Sequence, residues 1–333
     1  MITVIATVLN EGDTIHHLMD SLARQTRPPD EIVICDGGSR DHTVAALESY
    51  TQSLPLRVVI APGCNISAGR NRAIDAAHGD IIAATDAGVA LNADWLEKLV
   101  APLVDDPNIA VSAGFFQPDP RTLFEAALGA TTLPLVDEID PARFLPSSRS
   151  VAFRKAAWAR VGGYPEWLDY GEDLVFDLRL KAVGCAFAFA PDAIAHFRPR
   201  KTLRAFYKQY YLYARGDGKA NLWRKRHAIR YATYLIALPL ILALTLFAHP
   251  AFALAGLAGG AIYTRAPYRR LSANLRWARA NGARSTPLSV AYAAALIPVL
   301  RAVGDIAKLI GYPVGVRWRR AQRPPDWRLV SSQ

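Results

Sequence analysis

The sequence predicts an α/β domain with a mostly parallel, Rossmann-like central sheet, followed by C-terminal membrane-associated helices. Three observations support this. Apolar runs rich in β-branched residues alternate with helical stretches in the first half, polar loops follow three of those runs, and a long uncharged stretch begins after residue 230. Alternating strands and helices are typical of parallel sheets with right-handed crossovers. We therefore expect a first domain over residues 1–220 and a basic, apolar helical region over 221–333.

Five short apolar runs predict the strands of the sheet. In chain order they are Ile2–Val8, Glu31–Cys35, Leu56–Ile60, Asp80–Thr85 and Ile109–Ala113.

Polar residues follow the first, second and fourth of these strands. They are Asn10-Glu11, Asp36-Gly37-Gly38-Ser39 and Asp86-Ala87-Gly88. Open α/β sheets bind ligands at the carboxyl ends of their strands. Asp, Asn and Gly are also ordinary turn residues, so one such loop alone is more often only a turn. Three at successive strand ends favour a ligand site.

The charge is divided unevenly along the chain. Residues 1–199 carry 16 Lys and Arg against 26 Asp and Glu, and residues 200–333 carry 23 against 3. The acidic half indicates carboxylates that hold a metal or a ligand. The basic half is also apolar, which favours contact with anionic lipid, and nucleic-acid binding is not expected.

Compartment is indicated by cysteine usage and by the N-terminus. Cys35, Cys64 and Cys185 are odd in number and form no C-x-x-C pair, so the sequence indicates neither a disulfide framework nor a zinc site. The first apolar run has no basic region before it and no small-residue cleavage site after it, as a signal peptide would. We expect the first domain in the cytoplasm, at the cell membrane.

An uncharged apolar stretch covers residues 231–263. As one helix its 33 residues would extend about 50 Å, well beyond a hydrocarbon core of roughly 30 Å. Pro250 lies inside it, and proline in a helix interior removes a hydrogen bond and clashes with the preceding turn. We therefore predict a hairpin of two helices that meet at His249-Pro250.

Basic residues flank this hairpin on both sides, and the positive-inside rule places both ends in the cytoplasm. They are Arg224, Lys225, Arg226 and Arg230 before it, and Arg265, Arg269, Arg270, Arg276, Arg279 and Arg284 after it. A second apolar segment, 287–311, is predicted to be interfacial or a marginal span. The alternative is an unusually apolar soluble helical subdomain.

Six sequence motifs, in this order and spacing, resemble family 2 glycosyltransferases of the GT-A fold, in their membrane-associated bacterial form. The resemblance covers residues 1 to about 220. The motifs are Thr7-Val8-Leu9-Asn10-Glu11, Asp36 to Thr43, Ala68-Gly69-Arg70-Asn71-Arg72-Ala73, Thr85-Asp86-Ala87-Gly88, Gly162-Gly163-Tyr164-Pro165 and Gly171-Glu172-Asp173-Leu174.

The resemblance implies a UDP- or GDP-sugar as the donor and names the residues that would bind it. They are Thr7, Asn10, Glu11, Asp36, Arg70 and Asp86. Asp36 and Glu11 are expected at the base and ribose, where carboxylates can accept hydrogen bonds. The usual Asp-Asp-Gly-Ser is here Asp36-Gly37-Gly38-Ser39, so the second acid is missing.

A dianionic diphosphate also implies a divalent cation, Mg²⁺ or Mn²⁺, as cofactor. The resemblance offers Asp86 and His196 as its ligands. The loop that usually reads Asp-x-Asp ends in Gly88 here, which leaves one carboxylate. A lone histidine at a strand end is more often a hydrogen-bonded structural residue, and that alternative stays open for His196.

For transfer to a hydroxyl, the acceptor must lose a proton as it attacks the anomeric carbon. The resemblance assigns the base to Asp173, with Glu172 supporting it. Both are also acids in the first turn of a predicted helix, where the helix dipole favours them, and the two interpretations are compatible. Gly163, Tyr164, Trp167 and Tyr170 are expected at the acceptor.

The function that follows is a metal-dependent, inverting hexosyltransferase of cell-envelope polysaccharide biosynthesis. It would move a sugar from a nucleotide-sugar to a hydroxyl of a lipid-linked saccharide, polysaccharide or glycolipid, with membrane lipids as further partners. One alternative is transfer to a polyprenyl phosphate, which is already an anion and needs no base. Another is a catalytically inactive, membrane-tethered protein that binds nucleotide-sugars.

Overall fold

The computed structural model of the chain describes residues 1–284 and 286–328. They form two compact units. The first joins Met1–Gln117 with Leu135–Phe197, and the second joins Pro118–Pro134 with Arg198–Arg323. By packing, the chain thus divides after residue 197, whereas the boundary at residue 220 stays a prediction. Residue 285 and the end of the predicted region 221–333 lie outside the described residues.

The first unit is built on an eight-stranded sheet with the spatial order β3-β2-β1-β4-β7-β6-β8-β5. The strands β3, β2, β1 and β4 are parallel, and β7 then pairs antiparallel with both β4 and β6. The sheet is therefore mixed, and its parallel half carries the polar loops that follow β1, β2 and β4. In chain order the strands are β1 (Ile2–Val8), β2 (Glu31–Asp36), β3 (Leu56–Ile60), β4 (Ile81–Ala84), β5 (Val89–Leu91), β6 (Ile109–Pro118), β7 (Val151–Arg154) and β8 (Ala186–Phe197).

Helices of the first unit cover both faces of this sheet. One buried cluster includes Leu18 and Trp95, and the other includes Ile74 and Phe176. Strands that are buried on both faces read as continuous apolar runs, as β1 and β2 do. These helices are α1 (Ile15–Ala23), α2 (Thr43–Glu48), α3 (Ile66–Ala76), α4 (Trp95–Asp105), α6 (Lys155–Arg160) and α7 (Glu172–Ala182).

The second unit is helical. Its members are α5 (Leu123–Thr132), α8 (Leu203–Lys219), α9 (Arg224–Ala232), α10 (Leu238–Phe247), α11 (Ala253–Ala280) and α12 (Pro287–Gln322). The apolar stretch breaks where proline predicts it: α10 ends at Phe247, a 3₁₀ turn covers Pro250–Phe252, and α11 follows. A π-helical turn, Thr233–Ala237, joins α9 to α10.

Glycines allow α8 and α12 to pack with their backbones close together. A Cβ on Gly315 would lie 2.0 Å from the carbonyl oxygen of Arg215, and one on Gly311 would lie 2.2 Å from that of Tyr211. From the α8 side, a Cβ on Gly218 would lie 2.3 Å from the carbonyl oxygen of Tyr312. Because no side chain fits between the helices at these points, the three glycines fix how closely α8 approaches α12.

Among the residues that the structure describes, two helical stretches are long and apolar enough to cross a membrane, namely Arg224–Phe247 and Pro287–Gln322. The apolar part of the first stretch has no residue buried within the protein, and Phe247 is 88% exposed. Soluble proteins rarely expose a contiguous apolar surface of this kind. The predicted second segment, 287–311, is thus the first part of a longer helix.

Candidate active site

An ion-pair network joins three elements of the first unit at the end of β4. Asp86 follows β4, Arg70 lies in α3, and Glu172 begins α7. The Arg70 guanidinium donates from Nη2 to Asp86 Oδ1 at 2.9 Å and from Nη1 to Glu172 Oε1 at 2.6 Å. The Arg70 side chain is only 3% exposed. A single buried cation thus holds two acids, 86 residues apart in sequence, in one place.

Charge and burial oppose each other in this network. Burial disfavours the charged form of Arg70, but the carboxylates of Glu172 and Asp86 outweigh it and raise the Arg70 pKa. Burial and the nearby charge of Asp173 raise the pKa of Glu172 to about 7, against the opposing effect of Arg70. One turn further along α7, burial and Asp173 also raise the pKa of Asp177 well above its ordinary value. Two buried acids of α7, Glu172 and Asp177, are therefore harder to ionise than ordinary carboxylic acids.

The start of α7 positions Asp173 at the edge of the network. Gly171 precedes the helix with φ of +78°, a left-handed conformation that favours glycine. Asp173 Oδ1 accepts a hydrogen bond from the backbone N–H of Leu174 at 2.8 Å. The Asp173 side chain is half-buried, so one carboxylate of the network remains within reach of a bound molecule.

The helix α3 also fixes the loop that contains Gly163. Asn71 Nδ2 donates to the carbonyl oxygen of Tyr164 at 2.9 Å, and its Oδ1 accepts from the Tyr164 N–H at 2.9 Å. Gly163 has φ of +72°, and a Cβ there would lie 2.7 Å from Asn71 Oδ1. The Ser67 hydroxyl donates to the carbonyl oxygen of Leu168 at 2.8 Å. The sequence places Asn71 in a motif but does not indicate that it holds the Gly163 loop in position.

Tyr164, one of the predicted acceptor residues, is buried in the structure. Its ring is 1% exposed, stacks on Phe176 with centroids 4.3 Å apart, and lies under the Arg70 guanidinium. In this position the ring packs against the ion-pair network, and its predicted acceptor contact is untested. Trp167 and Tyr170 are half-buried in the loop that follows, and their acceptor role stays a prediction together with that of Gly163.

A second cluster of predicted residues joins the loops after β1 and β2. Asn10, with φ of +56°, accepts at Oδ1 from the Arg40 N–H at 2.9 Å. The Glu11 N–H donates to Thr43 Oγ1 at 2.9 Å. Asp36 is buried, and its carboxylate accepts from the N–H groups of Gly38 and Ser39 at 2.9 Å each. These bonds hold the loops in shape, and the nucleotide contacts of Asn10, Glu11 and Asp36 stay predictions.

Thr7 lies within β1, against the first turns of α3. A Cβ on Gly69 would lie 2.9 Å from Thr7 Cγ2, so glycine lets the helix come close to the strand at this point. The Thr7 methyl group thus has a packing role, and its predicted nucleotide contact is untested.

The hydrogen bond of the His196 ring goes to a residue outside the ion-pair network. It pairs with Ala90 across β8 and β5, and its Nε2 lies 2.8 Å from Asn92 Oδ1. Within residues 1–284 and 286–328, no group of three or more His, Cys, Asp or Glu side chains is placed to hold a metal ion. The ligand role of His196 therefore stays a prediction, and the structure gives this ring a structural partner.

Arg149 is a residue of the site that sequence reasoning missed. Its Nε lies 3.5 Å from Asp86 Oδ2, whereas Arg70 contacts the other oxygen, Oδ1. The guanidinium carbon lies 4.5 Å from the centroid of the Phe197 ring and 5.8 Å from that of Phe116. No motif surrounds Arg149, and these partners come from three separate strands or loops, so no local signal in the sequence could have indicated it.

Taken together, the site presents carboxylates and guanidinium groups at the carboxyl end of a parallel strand. Guanidinium groups suit phosphate oxygens, and a half-buried carboxylate can accept a proton from a hydroxyl. The arrangement can therefore bind a phosphorylated ligand and assist attack by an alcohol.

Comparison with known families decides the class of protein. Residues 3–162 match the family described as "Glycosyl transferase family 2", and residues 140–300 match "Glycosyl transferase family group 2". The chain belongs to glycosyltransferase family 2. The first match contains Asp36, Arg70, Asp86 and Arg149, and the second contains Glu172 and Asp173.

Curated relatives are glycosyltransferases as well. Glycosyltransferase AglE of Haloferax volcanii is 25% identical over 229 residues, which cover 67% of this chain and 74% of AglE. The O-antigen chain rhamnosyltransferase RfbN of Salmonella typhimurium is 22% identical over 222 residues, covering 63% of this chain and 70% of RfbN. This family 2 glycosyltransferase therefore resembles these relatives over most of their length and of its own.

Solved structures show that the fold is GT-A. Mannosyltransferase PcManGT from Pyrobaculum calidifontis, in complex with GDP-Man and Mn²⁺, has a TM-score of 0.55 and 21% identity, over 97% of this chain and 87% of that one. Staphylococcus aureus TarS 1–349, in complex with UDP, has a TM-score of 0.51 and 18% identity, over 96% and 92%. The eight-stranded mixed sheet followed by helices is thus an architecture with known examples.

Proposed function

We propose that this family 2 glycosyltransferase is an inverting, metal-dependent hexosyltransferase of the cytoplasmic membrane face. It moves a sugar from a UDP- or GDP-sugar to a hydroxyl of a lipid-linked saccharide, a polysaccharide or a glycolipid. The observation that carries the proposal is the half-buried carboxylate of Asp173, next to the network of Arg70, Asp86 and Glu172. Solved neighbours that hold GDP-Man or UDP support a nucleotide-sugar donor.

The base would be Asp173. As the acceptor oxygen attacks the anomeric carbon, its proton passes to the Asp173 carboxylate, and the bond from that carbon to the diphosphate breaks. The neighbouring Glu172 is committed to Arg70 at 2.6 Å, which leaves Asp173 as the acid of the pair that can act on a substrate. Attack from the face opposite the leaving diphosphate inverts the configuration of the sugar, which is why we propose an inverting enzyme.

The residues present fit a divalent cation held mostly by the substrate. Asp86 Oδ1 is engaged by Arg70, whereas Oδ2 lies 3.5 Å from Arg149, longer than an ordinary hydrogen bond. Oδ2 therefore keeps lone pairs for a cation, and Mg²⁺ is commonly bound through one or two carboxylates together with substrate phosphates. When bound, the ion neutralises charge on the diphosphate. His196 is proposed as a second ligand only on the family resemblance.

Membrane association is supported by the second unit. The predicted hairpin, residues 231–263, exposes Leu235, Leu246, Phe247 and Leu257, and basic residues lie beyond both of its ends. An apolar surface with basic flanks fits a bilayer whose cytoplasmic leaflet is anionic. We propose that the first unit works on the cytoplasmic side, close to a lipid-linked acceptor.

Binding of the donor tests this proposal first. We expect full-length protein in detergent to bind a UDP- or a GDP-sugar, measured by calorimetry against a panel of both with and without Mn²⁺. We also expect Asp173→Asn to bind the same donor with unchanged affinity, because the base contacts the acceptor and not the nucleotide. Absence of binding to every nucleotide-sugar in the panel would contradict the proposed function. Binding without turnover on any acceptor would favour the inactive, tethered alternative.

A further inference from the structure

The loop after β4 has open space at Gly88, two residues after its single carboxylate, Asp86. A Cβ on Gly88 would meet no atom within 4 Å, and the residue is exposed. The family pattern gives this position to a second acid, and here it is a glycine. A group that binds at Asp86 therefore meets one carboxylate, with a guanidinium group near each of its two oxygens.

Of these two arginines, Arg149 is the one that can reach a ligand. Arg70 is 3% exposed, and both of its terminal nitrogens are used within 2.9 Å by buried or half-buried acids. The Arg149 side chain is 21% exposed, and its distance of 3.5 Å to Asp86 is too long for a strong bond. A phosphate oxygen can compete with this long contact to Asp86, whereas Arg70 would have to leave both Glu172 and Asp86.

The surroundings of Arg149 hold its guanidinium in one plane. The group stacks on the Phe197 ring and lies near that of Phe116, while Nη1 donates to Ser147 Oγ at 3.1 Å. Its backbone carbonyl accepts from Thr85 Oγ1 at 3.0 Å, which ties the residue to the end of β4. A guanidinium that is already oriented loses little conformational freedom when it binds, and its planar donor set matches phosphate oxygens.

We propose that Arg149 binds the diphosphate of the donor and stabilises it as the leaving group. In this role its positive charge neutralises part of the charge on the diphosphate. A cation held by two carboxylates would do the same, but the second carboxylate is missing here. The bond from the anomeric carbon to the diphosphate oxygen breaks with its electron pair on that oxygen, and the positive charge of Arg149 faces the negative charge that develops. The acceptor proton goes to Asp173. The inference rests on the proposed function and adds a residue to its site.

Calorimetric titration of the full-length protein with UDP and with GDP, in the presence of EDTA, tests this role without any need for turnover. Arg149→Gln should raise the Kd of the nucleotide that the wild type prefers by about tenfold, the loss expected for a charge-assisted hydrogen bond. Arg149→Lys should lie between the two, because it keeps the charge but not the planar donors. Arg143→Gln removes an exposed arginine near Asp140 and should change the Kd less than twofold.

A second variant keeps the test independent of folding defects. Gly88→Asp, combined with Arg149→Gln, should restore nucleotide binding at least fivefold when Mn²⁺ is added, because two carboxylates then face the cation. Equal Kd values for wild type and Arg149→Gln in EDTA would overturn the role of Arg149 and leave the proposed function intact. A wild type that binds neither nucleotide, in EDTA or with Mn²⁺, would overturn both. Near-equal thermal midpoints of the proteins would show that the differences in Kd are not caused by unfolding.

Discussion

Asp173→Asn is expected to lower the kcat for transfer to a hydroxyl acceptor by a factor of about 10² to 10⁴, the usual contribution of a general base. The amide oxygen of asparagine can still accept the 2.8 Å bond from the Leu174 N–H, so the start of α7 keeps its geometry. Asparagine cannot take up the acceptor proton at neutral pH, and this loss alone explains the reduction. Steady-state transfer rates, with the donor at saturating concentration, measure it.

The matched control for this variant is Asp75→Asn, which removes an exposed acid of α3 outside the site. It should keep wild-type kcat and KM. Full activity of Asp173→Asn on a saccharide acceptor would contradict the assignment of the base. Activity that survives only with a polyprenyl phosphate would instead favour the alternative function, because that acceptor is already ionised.

Arg70→Met is expected to lower the free energy of unfolding by about 3–5 kcal/mol, the usual cost of leaving buried charge without its partner. Arg70 bridges Asp86 and Glu172, and its removal leaves two carboxylates near Asp173 without a buried cation. Burial raises the pKa of Glu172 to about 7, so part of this cost can be relieved by protonation of that acid. Chemical denaturation of the full-length protein in detergent measures the change.

Two comparison variants separate the ion pairs from the loss of a long side chain. Arg72→Met lies on the same helix but is exposed, and it should change stability by less than about 0.5 kcal/mol. Combining Arg70→Met with Glu172→Gln should recover part of the loss, since the second change removes one uncompensated charge. An Arg70→Met protein as stable as the wild type would show that the network does not hold the site together.

The parallel half of the sheet was predictable from sequence because its strands are continuous apolar runs. Ile2–Val8 and Leu56–Ile60 match the structure at both ends. β6 extends beyond its predicted end at Ala113 and reaches Pro118. In the sequence, Gly114 interrupts the apolar pattern at this point. A Cβ there would lie 2.0 Å from Ser150 Oγ and 2.9 Å from the carbonyl oxygen of Ala193, so the glycine marks close packing rather than the end of a strand.

The three strands that sequence reasoning missed depend on distant partners. β5 has three residues and β7 has four, too few for a period of two to be recognised. β8 contains Pro191 and Asp192 among alanines, a composition that is depleted in strands, yet it pairs with β5 through Ala195. Pairing of this kind is decided by tertiary contacts, which a local pattern does not contain.

The candidate site was predicted in part. Residues in local motifs could be inferred from the sequence, and residues brought together by tertiary contacts could not. Asp86, Glu172 and Asp173 stand next to strand and helix ends in short motifs, so their positions could be inferred and their proximity then observed. Arg149 and the structural use of Asn71 depend on loops that only the folded chain brings together. The burial of the Tyr164 ring could not be predicted, because its motif shows the position of the residue in the loop but not its packing.

Product analysis of a complete reaction tests the central claim most directly. The wild-type protein is supplied with the nucleotide-sugar that it binds and with a lipid-linked saccharide, and the product is examined by NMR while nucleoside diphosphate is quantified. We predict one equivalent of UDP or GDP for each sugar transferred, and an anomeric configuration inverted from that of the donor. Release of nucleotide without a glycosylated product, or a product with retained configuration, would contradict the account.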